Sequence, residues 1–295
     1  MRMHQPDVIS LEGAIDIHFH PHPDLIPRLT DDRGAAERAL ECGLRAVVLK
    51  CHFESTVGRA YDVGQQFGGI DVYGGIVLNR HTGGVNPAAV ETSVRLGAKV
   101  VWMPTVDADY HAEVYGFTGS YDKQRSDSRP VEPISIVKDG KLTQACQDVL
   151  DILAHYDSAA LATGHFSAKD VGVLVREAVA RRVRRVIMQH VFFKIPAMSI
   201  EQVKELTALG AVAEVEYCGI SPFWAWEGQT LEGMRRGVAE VGAEHFLLIS
   251  DGGQRHNPLP SDCLRLLAQG LYEKGVTRAE LRRMMTVNPA EVLGI

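Results

Sequence analysis

The chain has 295 residues, 45% hydrophobic and 23% charged, with a formal net charge of -6. That length allows one large domain or two medium ones with a substantial core. The acidic balance and the lack of a basic stripe argue against nucleic acid as a partner, since the densest cationic run, "RRVRR" at 181–185, closes a helical pattern and reads as a solvated helix end.

Five scattered cysteines without a C-x-x-C pair suit a reducing compartment. No basic-then-apolar leader opens the chain and no apolar run approaches membrane-spanning length. The expectation is a cytoplasmic protein with a small-molecule substrate, no membrane or nucleic-acid partner, and a homo-oligomeric state.

The first apolar run, "GAIDIHFH" (13–20), ends in alternating histidines and leads into Pro21, His22 and Pro23. The strand period of two puts His18 and His20 on one side, whereas the prolines end the strand before His22. Two imidazoles on one side of a strand can hold one metal ion, though a solvated His-rich turn would look the same. Seven further apolar runs follow: "LRAVVLKCHF" (44–53), "DVYGGIVLN" (71–79), "AKVVWMPTV" (98–106), "ALATGHF" (160–166), "RRVIMQHVFF" (184–193), "AVAEVEYC" (211–218) and "HFLLISDGG" (245–253). Near-continuous apolarity means burial on both faces, as in a parallel sheet.

Amphipathic patterns such as "GAAERALECG", "NPAAVETSVRLGA" and "SAKDVGVLVREAVARR" alternate with these runs. Asn86-Pro87 and Ser199 mark helix starts, and Gly43, Gly97 and Gly210 mark stops. Eight βα units predict a (β/α)8 TIM barrel, a single domain over 1–295. A doubly wound open sheet is the alternative, but its first turn would be Gly-rich rather than rich in His and Pro.

One segment breaks the rhythm. Residues 107–143, after the fourth strand, are long for a connector and carry Tyr110, His111, Tyr115, Tyr121, Lys123, Arg125 and Arg129. The segment reads as a capping insertion over the barrel mouth, with a small hairpin turning at Asp139-Gly140. A plain surface excursion is the other reading.

Barrel active sites lie at the C-terminal strand ends. There this sequence places His18 and His20 on strand one, Lys50, Cys51 and His52 on strand two, and Arg80 and His81 after strand three. His165 ends strand five, His190 strand six and Asp251 strand eight. One such histidine is usually structural; four with an aspartate at matching heights are harder to explain that way.

This pattern resembles the amidohydrolase superfamily of metal-dependent hydrolases. In that family strand one supplies H-x-H, strands five and six one His each, and strand eight an Asp. The ending "TVNPAEVLGI" (286–295) also resembles the family's closing helix. The resemblance implies a divalent metal, Zn²⁺ first with Mn²⁺ or Fe²⁺ permitted, as one or two ions. It implies His18, His20, His165, His190 and Asp251 as ligands, and metal-activated hydroxide with Asp251 as general base and acid. His190 either binds a second metal or hydrogen-bonds the reacting groups, and so is a catalytic candidate.

Many two-metal members bridge their ions with a carboxylated Lys or a Glu on strand four, and "VVWMPTVDA" offers neither there. Strand two can substitute, as the Cys of D-aminoacylases does. Lys50 and His52 share one parity and Cys51 has the other. A carboxylated Lys50 bridging two metals is the preferred reading. A free Lys50 cation binding a substrate carboxylate, Cys51 as ligand, or no role are the others. His52, Arg80, His81, Tyr110, Arg255 and His256 are candidate substrate contacts, with Phe223, Trp224 and Trp226 as an aromatic wall or lid. Glu214 and Glu216, which share parity on strand seven, could each bind a ligand or pair with a barrel Lys or Arg, and the ion pair is the preferred reading. His4, His111, His155 and His245 are read as surface or loop residues.

The leading functional reading is hydrolysis of an amide, cyclic imide or lactone. The runner-up is a one-metal non-oxidative decarboxylase of a small carboxylic acid, resembling the aminocarboxymuconate semialdehyde decarboxylase branch. Deaminases fit less well, because they carry Glu three residues after the strand-five His and Ala168 stands here. A non-catalytic metal-binding barrel is the alternative of another class.

Overall fold

The computed structural model describes residues 7–121, 131–223 and 229–295. The apolar runs fold as strands β1 (Ile15–Phe19), β2 (Ala46–Leu49), β3 (Asp71–Tyr73), β4 (Gly75–Val77) and β5 (Val100–Trp102). After the short hairpin strands β6 (Val137–Lys138) and β7 (Lys141–Leu142) come β8 (Ala160–Ala162), β9 (Val186–Met188), β10 (Val212–Glu216) and β11 (Phe246–Ile249). Among the described residues, all strand pairings outside the hairpin are parallel, and the order is β1-β2-β3 in one sheet and β11-β10-β9-β8-β5-β4 in the other.

The expected single ladder is thus two sheets, and they meet at both margins. At one margin the third apolar run splits at Gly74: β3 pairs with β2, and β4 pairs with β5. Glycines are required there, because a Cβ on Gly75 would lie 2.2 Å from the Val100 carbonyl oxygen and one on Gly74 2.6 Å from that of Thr56. At the other margin Phe19 bridges Gly252, Asp251 N donates to His18 O (2.9 Å) and His20 N donates to Gly252 O (2.8 Å).

The strands form because each buries both faces, which makes the apolar runs continuous. One face contributes Ile15, Ile17, Ala46, Val48, Val100, Trp102, Leu247 and Ile249 to a shared cluster, closed below by Val292 and Leu293. The other face packs Val47, Leu49, Val101 and Leu161 against helix residues such as Ala35, Val90, Val149 and Leu174.

Local signals set the helix ends. Asn86 caps Pro87–Arg95 by accepting from Ala88 N and Ala89 N, and Ser199 with Gln202 forms a capping box on Ile200–Thr207. Within 107–143, Asp109–Tyr115 is helical and the hairpin turns at Asp139-Gly140, both with positive φ (52° and 76°). Two hydrogen bonds, Asp109 N to Ile134 O (3.0 Å) and Ile134 N to Asp107 O (2.7 Å), pin this segment to itself. Lys123, Arg125, Arg129, Trp224, Trp226 and His4 lie outside the described residues. No helix among the described residues is long and apolar enough to cross a membrane.

Candidate active site

Strand β1 carries a one-residue register shift: Ile15 and Asp16 align with Ala46 and Val47, yet Phe19 aligns with Leu49. Such a shift re-aims the side chains around it. Ile17 joins the first cluster and Phe19 the second, while both His18 and His20 meet Asp251. Asp251 Oδ1 lies 3.2 Å from His18 Nε2 and 3.2 Å from His20 Nε2. Gly253 permits the approach of the following loop, since a Cβ there would lie 2.0 Å from His20 O.

Lys50 Nζ lies 2.7 Å from His18 Nε2 and 5.4 Å from the Trp102 ring. His190 is 5.0 Å from His18 and 5.7 Å from His165 between ring centroids. One ligand atom each from His18, His190 and Asp251 lies within 4.8 Å of the others, close enough to share a metal ion. His165 Nε2 is buried with no hydrogen-bond partner among the described residues. An orphaned imidazole nitrogen beside a compact nitrogen and carboxylate set fits a divalent metal. His190 and Asp251 also hold left-handed backbone (φ 46° and 42°), a conformation that costs of order 1–3 kcal/mol in a non-glycine residue and clusters at functional sites.

The electrostatics agree with that fit. Burial drives His20, His52 and His165 well below the ordinary histidine pKa, with further depression from Arg28 on His20, His20 on His52 and His111 on His165. Burial works against a charged Asp251, but His18 and His20 outweigh it and hold the carboxyl well below its usual range. Neutral His20 and His165 and an ionised Asp251 are the states a metal requires. At His18 burial and Lys50 work against the charged ring, but the carboxylates of Glu214 and Asp251 outweigh them and raise the pKa. Burial lowers Lys50 to about 8, which brings the neutral amine within reach of physiological pH.

Strand β10 lies behind these ligands. Glu214 Oε2 accepts from His18 Nδ1 at 3.1 Å, with both side chains fully buried. Glu216 Oε2 lies 3.8 Å from His190 Nδ1. The preferred ion pairs with Lys or Arg are therefore corrected: Glu214 hydrogen-bonds His18, the arrangement that orients a metal-ligating histidine, and Glu216 stands near His190 beyond hydrogen-bond distance. Cys51 is buried away from the cavity, and burial pushes its thiol up to about 11.

A cavity of about 270 Å³ opens over His20, His165, His190 and Asp251. Of the expected substrate contacts, His52, Arg255 and His256 line it. Arg80 and His81 do not; they line a neighbouring cavity of about 290 Å³, and Tyr110 lines neither. The reason is Asp107, which is buried, accepts from Arg80 N at 2.9 Å and pairs with the Arg80 guanidinium.

Two residues escaped the sequence reading. Arg28 lines the cavity and is 4% exposed; Asp24 accepts from its Nε (2.9 Å) and His22 Nε2 from its backbone N–H (3.0 Å). The third histidine of the first motif thus shapes the loop that presents Arg28, and the Asp24-to-Arg28 spacing was the available signal. His111, read as a surface or loop residue, is fully buried against His165; nothing in its local sequence marks it.

Solved structures share this fold. A putative 2-pyrone-4,6-dicarboxylic acid hydrolase from Pseudomonas putida is 16% identical, covers 96% of this chain and 97% of its own, and has a TM-score of 0.61. An amidohydrolase from Pseudomonas aeruginosa is 14% identical over 95% of each chain (TM-score 0.57). A 2,6-dihydroxybenzoate decarboxylase complexed with 2,6-dihydroxybenzoate is 10% identical over 96% of this chain and 100% of its own (TM-score 0.56). The α/β fold with parallel strands is that of amidohydrolase-superfamily structures. No curated protein matches the sequence. The family described as "Family of unknown function (DUF6282)" matches residues 13–214, a span that includes every candidate ligand except Asp251.

Proposed function

The chain belongs to DUF6282, and we propose that it is a metal-dependent hydrolase that cleaves an amide, cyclic imide or lactone bond of a small molecule. The observation that supports this reading most is the convergence of His18, His190 and Asp251 within 4.8 Å beside the orphaned Nε2 of His165. We read the two sheets as one closed eight-stranded barrel with the site at its C-terminal mouth and 107–143 as its cap. His18, His20, His165, His190 and Asp251 would hold the ion, zinc being the first choice for this donor set.

Bound there, a divalent metal supplies Lewis-acid polarisation and a nucleophile at neutral pH. Asp251, ionised at neutral pH and 3.2 Å from two imidazoles, takes the proton of the attacking group at a carboxylate oxygen and returns it to the leaving group. If His190 is left out of the ligand set, it would instead hydrogen-bond charge that develops on the substrate oxygen. Glu214 keeps His18 oriented. Arg28 and Arg255, with His256 beside them as a neutral hydrogen-bonding ring, form a wall suited to a carboxylate or carbonyl on the substrate. Lys50, with its pKa lowered to about 8, is suited as the neutral amine to add to CO₂ and lose a proton, and the resulting carbamate would offer its oxygens as metal ligands.

A second reading, decarboxylation of a small carboxylic acid at one metal, draws support from Arg28 in the cavity wall and from β5, which places Trp102 and no carboxylate near Lys50. The test is turnover by protein loaded with zinc, manganese or iron on lactones, cyclic imides, amides and aromatic acids. Acid release without CO₂ supports hydrolysis; CO₂ release from the acids moves the assignment to decarboxylation. Metal bound stoichiometrically with no turnover on any class would leave a non-catalytic metal-binding barrel.

A further inference from the structure

We propose that His111 is a positioning residue that, from the short helix Asp109–Tyr115, fixes His165 as the tautomer whose Nε2 is free to bind metal. The proposal rests on His165 being a metal ligand, and it begins from the hydrogen-bond chain behind that residue. A backbone carbonyl can only accept, so the hydrogen bond between His111 Nε2 and Ser120 O, 2.9 Å long, places the proton on His111 Nε2. A neutral imidazole carries one N–H, which makes His111 Nδ1 an acceptor. His111 is fully buried, where an uncompensated charge is costly, so its ring is the neutral form.

The partner of His111 Nδ1 is His165 Nδ1, 3.3 Å away. Two acceptors cannot share a hydrogen bond, so His165 Nδ1 is the donor. The rings lie 17° from parallel with centroids 5.5 Å apart. His165 is then the Nδ1–H tautomer, and its Nε2 carries the lone pair. That nitrogen is buried without a partner among the described residues, on a side chain that lines the cavity.

Among the other candidate ligands, His18 is backed by the Glu214 carboxylate at 3.1 Å and the Glu216 carboxylate stands 3.8 Å from His190. Here a neutral imidazole does the orienting, so it adds no negative charge behind its ligand. It also ties the ligand to the segment after β5, since Ser120 and Tyr121 line the same cavity. The tie is directional: a side chain at 111 that cannot accept at this point leaves His165 free to protonate Nε2, which blocks coordination.

The test uses the full chain with histidine labelled by ¹⁵N, stripped of metal. Long-range proton–nitrogen correlation should show wild-type His165 protonated on Nδ1. His111→Phe keeps the ring but removes the acceptor, and should give His165 a mixed or Nε2-protonated state. His111→Gln can donate to Ser120 O and accept from His165 through one amide, and should restore the Nδ1 tautomer. Zinc affinity, measured by chelator competition, should fall roughly 10–100-fold in His111→Phe, the usual worth of an outer-shell partner, and largely recover in His111→Gln. Circular dichroism checks that both variants fold. An Nε2-protonated His165 in the wild type, or His111→Phe with unchanged tautomer and affinity, overturns the proposal. If the tautomers behave as stated while the wild type binds no zinc, the tautomer assignment is supported and only the metal reading falls.

Discussion

Replacing Lys50 by Met should stabilise the metal-free protein. Lys50 is buried at 1% exposure beside His18, and burial lowers its pKa from 10.5 to about 8. The shift is net of the attraction from Asp251 and Glu214. Below pH 8 the amine is protonated in both folded and unfolded chains, so the whole penalty is present. Between pH 8 and 10.5 the folded state sheds the proton while the unfolded state keeps it, and wild-type stability rises relative to the variant. The difference of 10.5 − 8 = 2.5 pH units corresponds to about 3 kcal/mol at pH 7, shrinking to about 1 kcal/mol at pH 9.5. Methionine fills the space of the lysine stem without a charge, so little packing is lost. Urea unfolding of chelator-treated wild type and variant at the two pH values reads both numbers. A variant no more stable than wild type at pH 7, or a gap that does not narrow by pH 9.5, would refute the reasoning. The same variant addresses the carbamate: two metals per chain in the wild type and one in Lys50→Met supports it, whereas one metal in both points to Lys50 as a substrate cation.

Substituting His18 and His20 together by Ala should strip metal and activity, and full metal occupancy in that variant would remove the H-x-H pair from the ligand set. Asp251→Asn keeps the shape and one oxygen but no base, so metal content should fall modestly while the rate drops by roughly 10²–10⁴; near-normal turnover at saturating substrate would end its proton-transfer role. Glu214→Gln should weaken zinc binding roughly 10–100-fold by loosening His18, as read by chelator competition. Arg28→Gln should raise KM for carboxylate-bearing substrates and leave their neutral amides unaffected, and equal effects on both would assign Arg28 to loop structure alone.

The sequence by itself determined what depends on short-range periodicity and local chemistry. Continuous apolar runs set the parallel strands, Asn86-Pro87 and Ser199 set helix starts, Asp139-Gly140 set the hairpin, and strand parity put His18 with His20 and Lys50 with His52. Ligand-type residues at strand ends were legible because parallel strands present their C-terminal ends on one side of the fold. Only the tertiary structure decided what stands opposite each of them. Glu214 meets His18 across 196 residues of chain and His111 meets His165 across 54. Asp107 draws Arg80 aside, and His22 with Asp24 turns Arg28 into the cavity. Periodicity names the face on which a side chain lies. Its partner is set by how distant strands and loops pack, which no local pattern encodes.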